Sequence, residues 1–206
     1  MDIGIIKKFL EQADRIMTEN KEYLIGLDSM VGDGDLGLTM SDGFKAAYAA
    51  AKSSEEKDVG KVLYQAGKAM STAVPSTMGT LMASGLMQAG KELRGKEIIE
   101  DMDIAALFWA YADGVMKRGG ACEGDKTFLD GLLPAARCLE EALNRGDGLK
   151  QAAQKAALMA EQGFQNTTTM VAVHGRAATR GEASRTLEDP GAAVAMLLMK
   201  AFSMSL

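Results

Sequence analysis

Apolar positions along this chain recur every three to four residues, and almost nowhere every second residue. Ile5, Ile6, Phe9, Leu10, Ala13, Ile16 and Met17 form one stripe, and Val59, Val62, Leu63, Ala66 and Met70 another. Met78, Leu81, Met82, Gly85, Leu86 and Ala89 repeat the pattern. So do Ile104, Leu107, Phe108, Tyr111 and Val115, then Leu129, Leu132, Leu133, Ala136 and Leu143. A stripe at this period is the core-facing side of an amphipathic helix. The C-terminal run AAVAMLLMKAF is apolar on nearly all sides, which predicts a helix enclosed by others. Only TTTMVAV (167–173) has strand-like composition, and a lone strand has nothing to pair with. The pattern predicts an all-α fold of about eight helices in one domain spanning residues 1–206.

Glycine-bearing breaks separate the predicted helices, and four of them carry polar chemistry: LDSMVGDGDLG (27–37), AVPSTMG (73–79), RGGACEGDKT (118–127) and HGRAATRGEASRTLEDPG (174–191). Loops between packed helices are where binding residues concentrate. The last of the four is long for a connector in a helical domain, which favours a functional role.

Composition narrows the chemistry. The net charge of −5 disfavours a nucleic-acid partner, which normally meets a basic face. No apolar run reaches about 18 residues, so a membrane span is not expected. The N-terminal MDIGIIKKFLEQADRI has helical period and acidic residues, unlike a signal or transit peptide. Two cysteines, Cys122 and Cys138, are too few for a disulfide framework, and a reducing cytoplasm fits them. The single histidine, His174, disfavours both an ordinary zinc site and a nucleophile–histidine triad.

Within the first break, Asp28 falls at the end of a helix, and Asp33 and Asp35 lie on the loop beyond it. Clustered carboxylates repel one another unless a cation sits among them, and their hard oxygens suit Mg²⁺ or Ca²⁺. The spacing lacks the later ligands of an EF-hand loop. Read more plainly, the same segment is an acidic turn capping the next helix. Ser76 or Thr77 can cap a helix whose free amides offer an anion site. Asp125 can cap the helix after it, with Lys126 a solvated charge. Asp189-Pro190 is a strong helix start. There is no phosphate-loop or dinucleotide fingerprint. The residues alone therefore indicate a Mg²⁺–phosphate site on an all-α domain.

In this order the motifs resemble the nucleotide-binding L subunit of dihydroxyacetone kinase. LDSMVGDGDLGLTM, STMGT, GDKTFLD, GRAATRGE and DPGA stand where that family has its own motifs, covering almost the whole chain. Leu36 replaces the family's histidine, and PSTMG replaces its glycine-rich G-G-A-S-G. The resemblance implies a barrel of antiparallel helices holding ADP or ATP at one end through two Mg²⁺ ions. It assigns the metal to Asp28, Asp33 and Asp35. It assigns the nucleotide to Leu36, Gly37, Leu38, Thr39, Thr77, Met78, Gly119, Phe128, Arg176, Asp189, Pro190 and Gly191. Phe128, in place of a methionine, can pack against adenine. The implied activity is phosphoryl transfer to dihydroxyacetone held on a partner K subunit, with a phosphotransferase-system protein as one possible donor. Two alternatives stay open: a nucleotide-loaded regulatory module, and a kinase subunit for another small ketose or polyol.

Overall fold

Each apolar stripe becomes a helix in the computed structural model, which describes residues 1–206. The order is α1 (Gly4–Glu19), α2 (Lys21–Val31), α3 (Leu36–Ser53), α4 (Val59–Ala73) and α5 (Thr77–Glu92). It continues with α6 (Asp101–Gly119), α7 (Phe128–Asn144), α8 (Leu149–Asn166) and α9 (Pro190–Met204). Nine α-helices thus replace the expected eight or so, because the N-terminal periodic region breaks at Asn20 into α1 and α2. TTTMVAV is no strand: Thr167–Thr169 is a 3₁₀ turn, and extended chain follows it. A second 3₁₀ segment, Ala177–Ser184, lies within the long last loop.

Helix starts follow the side chains that satisfy their free amides. Asp58 accepts from Lys61 N–H at 3.1 Å, Ser76 from Gly79 N–H at 3.0 Å, and Asp189 from Ala192 N–H at 2.7 Å. Thr127 and Asp130 form a capping box at the start of α7. Successive helices from α3 to α7 pack on their neighbours, α8 and α9 follow, and α1 closes the ring against α3 and α9. In the interior, the rings of Phe9, Phe108 and Phe202 meet edge-on in all three pairings, with centroids 5.0–5.9 Å apart. The expected burial of the last helix holds, since α9 turns Val194, Leu197, Leu198, Met199 and Phe202 into the core.

Apart from α2, which links the end of α1 to the start of α3 at one end, the helices run up and down, so their ends separate into two groups. The 54–58 and 93–100 connections meet at one end, where Val59 N–H donates to the Lys96 carbonyl. The four motif loops meet at the other.

Candidate functional site

At the motif-bearing end lies a cavity of about 690 Å³, lined from the α2–α3 loop, the starts of α5, α7 and α9, the end of α6, and the 174–177 segment. Four helices, α3, α5, α7 and α9, begin at this mouth. Each contributes the positive end of its dipole, so the mouth favours anions, although at α9 Pro190 has no N–H and Asp189 takes those of Gly191 and Ala192.

Against this positive field stand three carboxylates. One oxygen each from Asp28, Asp33 and Asp35 lies within 4.8 Å of the others. The last turn of α2 supplies Asp28, whose Oδ2 accepts from Leu36 N–H at 3.3 Å. Loss of hydration, reinforced by Asp33 and Asp28, pushes the Asp35 carboxyl up, while Arg176 opposes the shift. A Cβ at Gly32 would collide with the Asp28 carboxylate, so only glycine leaves that group its place in the cluster. An all-oxygen anionic set of this kind fits Mg²⁺ and does not suit a soft metal. Arg176 pairs with Asp33 at 2.6 Å and carries the 174–177 segment to the carboxylates.

The other residues assigned by resemblance divide. Leu36, Thr77, Met78, Gly119, Phe128, Arg176, Asp189, Pro190 and Gly191 line the cavity, whereas Gly37, Leu38 and Thr39 do not. Leu38 is an exposed apolar residue outside it. Thr39 is buried, and its hydroxyl donates to Ser76 Oγ at 3.3 Å, tying α3 to the cap of α5. Gly37 lies against α2, where any Cβ would run into the Lys21 carbonyl oxygen and the Ile25 side chain. Gly37→Ala is therefore expected to destabilise the ligand-free protein by about 1–3 kcal/mol. That corresponds to a Tm lower by roughly 2–10 °C in calorimetry. An unchanged Tm would show that Gly37 has no packing role.

Phe128 is nearly buried and packs beside Tyr111, with ring centroids 5.9 Å apart, so it joins the core to the cavity wall. Asp189 is buried at its cap position, and burial pushes its carboxyl up to about 7 despite the Ala192 N–H and nearby Lys126.

Two sequence expectations at residues 125 and 126 are overturned. Asp125 does not cap α7, because Thr127 takes that role. Instead Asp125 accepts from Cys122 N–H at 2.7 Å and meets His174 Nε2 at 3.0 Å, and the first of these contacts leads in holding its carboxyl low. Lys126 is not solvated but 2% exposed, with left-handed backbone at φ 62°. Its ammonium points at main-chain carbonyls, and burial pushes its pKa down. The T-x-x-D spacing of 127–130 is a readable capping box and could have excluded Asp125. Nothing local in the sequence marks Lys126 as buried. Arg118, also on the cavity wall, lies one residue before the assigned Gly119.

Comparison with known proteins follows the same outline. The family profile described as DAK2 domain matches residues 30–204. The Escherichia coli PEP-dependent dihydroxyacetone kinase, ADP-binding subunit DhaL, is 31% identical, over 97% of this chain and 95% of its own length. The L-erythrulose 1-kinase of Mycolicibacterium smegmatis is 32% identical over 93% of this chain, which spans only 34% of that longer protein. Among solved structures, the dihydroxyacetone kinase of C. freundii superposes with a TM-score of 0.75 at 22% identity, over 98% of this chain and 34% of the other. Its complex with AMP-PNP and Mg²⁺ gives 0.73 at 21% identity. These two likenesses establish the helical fold.

Proposed function

Because this chain belongs to the DAK2 domain family, we propose that it is the nucleotide-binding subunit of a kinase acting on dihydroxyacetone or a closely related small ketose. The observation that carries this reading is the meeting, at one cavity, of a three-carboxylate cluster with four helix N-termini. Carboxylates alone would repel a phosphate, and amide groups alone would not gather a dication. Together they fit an ADP or ATP phosphate chain with Mg²⁺.

In this reading Asp28, Asp33 and Asp35 hold the metal, which neutralises the phosphates when bound. The start of α5, at Thr77 and Met78, directs N–H groups toward the phosphate chain, and α9 adds the positive end of its dipole at Pro190 and Gly191. Arg176 adds a positive charge beside Asp33. Gly119 and Phe128 form the wall for the base. Positioning and charge stabilisation of this kind supply most of the catalysis in phosphoryl transfer. The ketose itself sits on a partner K subunit. The relatives named PEP-dependent or PTS-dependent favour a phosphotransferase protein that recharges bound ADP over free exchange of ATP. A relative named L-erythrulose 1-kinase keeps four-carbon ketoses among the acceptors. No helix is long and apolar enough to cross a membrane.

Titration calorimetry with ADP, with and without Mg²⁺, tests the reading. Binding only to the folded state contributes about 2.7 kcal/mol at a hundredfold excess over Kd. That should raise Tm by roughly 5–10 °C, and EDTA should abolish the rise. A rise of equal size in EDTA would mean that amides and side-chain cations alone hold the phosphates.

A further inference from the structure

We propose, on the nucleotide reading of this cavity, that Lys126 is a positioning residue for nucleotide binding: its ammonium fills a cage of carbonyls that staples shut the neck of the 171–187 loop. The cage is built from both stems of that loop. On one side stand the carbonyls of Thr167 at 2.7 Å and Met170 at 3.3 Å. On the other stand those of Ser184 at 2.7 Å, Arg185 at 3.1 Å and Leu187 at 2.6 Å. An ammonium has three protons, and three of these contacts are short. The donors are thus fully used, two toward the second stem and one toward the first.

Other contacts also hold the loop, at Arg176 to Asp33, His174 to Asp125 and Val173 N–H to the Asp125 carbonyl, but none of these joins its two stems. Its own apolar support is a cluster of Val31, Ala172 and Ala177, with Leu187 beside it. Ser184 Oγ accepts from Ala172 N–H at 2.9 Å, and Arg185 Nη1 donates to the Thr169 carbonyl at 2.7 Å. These bonds also join the stems, but without the buried charge the Met170, Arg185 and Leu187 carbonyls would lose their partner, since only those of Thr167 and Ser184 also accept a main-chain N–H. The left-handed backbone at Lys126, unfavourable for any residue with a side chain, is what aims the stem inward. From the stapled loop hangs the 174–177 segment, whose His174 and Arg176 bring polar side chains to the cavity. Lys126 also stands in the cavity wall, but its ammonium is spent on the carbonyls and acts on the nucleotide through the loop.

Lys126→Met keeps the bulk of the stem and removes the charge and the donors. The variant is expected to keep its helix content and cooperative unfolding, because the loop lies outside the main core. Protease cleavage within 171–187 should accelerate at least tenfold, and the Kd for ADP with Mg²⁺ should rise at least tenfold. Lys126→Ala should lose affinity likewise and regain it in n-propylammonium, whose N–H groups can refill the cage. Tetramethylammonium at equal ionic strength has no such donors and should not restore it. Wild-type loop protection and affinity in Lys126→Met would overturn the proposal. So would failure of that variant to fold, which would make Lys126 a support of the core. Equal behaviour in the two ammonium salts would overturn it as well. A wild-type protein that binds no ADP would sink only the nucleotide reading, since the cleavage comparison needs no nucleotide.

Discussion

Replacing Asp35 by alanine is expected to weaken Mg²⁺-dependent ADP binding at least about a hundredfold, because losing even an outer-shell partner costs a metal site 10–100-fold. The same substitution should leave the ligand-free protein as stable as before, or slightly more so. The carboxyl of Asp35 is pushed up by lost hydration and by its two neighbours. A carboxyl whose folded pKa lies above its unfolded value destabilises the fold as it ionises. Stability is then lost as pH rises between the two values. Asp35→Ala removes that loss, so its Tm in EDTA should exceed or match wild type above this window and match it below. Asp33→Ala should lose affinity too, but it also breaks the ion pair with Arg176, so its ligand-free loop should loosen. Calorimetric titrations of both variants decide the matter. Undiminished Mg²⁺-dependent affinity in both would remove the metal assignment.

Catalysis should be absent from the isolated chain even when nucleotide is fully bound. The cavity offers groups for phosphates and a cation, and the one histidine at its rim is already engaged by Asp125. Phosphoryl transfer requires the acceptor oxygen held in line, and such positioning is worth about 7–11 kcal/mol of barrier. The purified protein is therefore expected to phosphorylate dihydroxyacetone or erythrulose at no rate above background. Adding a cognate substrate-binding subunit should raise the rate at least about a thousandfold, a conservative share of that barrier. A coupled assay on protein freed of contaminating kinases measures both. Steady turnover by the chain alone would refute the divided site.

Much of this architecture was legible in the residues. Stripes such as Val59-Val62-Leu63-Ala66-Met70 became buried faces because a helical period leaves one side for the core. The aspartate cluster was readable because charge repulsion and glycine spacing are local facts. What escaped were features made by distant contacts. The resemblance assigns Gly37 and Thr39 to the nucleotide, but their packing was not legible: one fits against α2 and the other bonds the cap of α5. Lys126 read as solvated because nothing nearby in sequence reveals five carbonyls brought to it from residues 167–187. The break at Asn20 also went unread, since the chain passes from one helix to the next there with no glycine or proline.

The four helix starts at the mouth carry a parity rule. From α3 to α5, α7 and α9 the chain makes one full round trip along the barrel each time, so two helices separate successive mouth loops. Removing or inserting a single lengthwise helix between α3 and α9 would invert every later one and turn its carbonyl end toward the phosphates. Removing or inserting an antiparallel pair would keep the polarity. Chain breaks are tolerable by the same logic at the opposite end, in 54–58, 93–100 or 145–148. A circular permutant opened there keeps every amide start facing the ligand, while one opened at 32–35 severs the aspartates from each other. Between α3 and α9, diversification of this barrel should therefore proceed by hairpins.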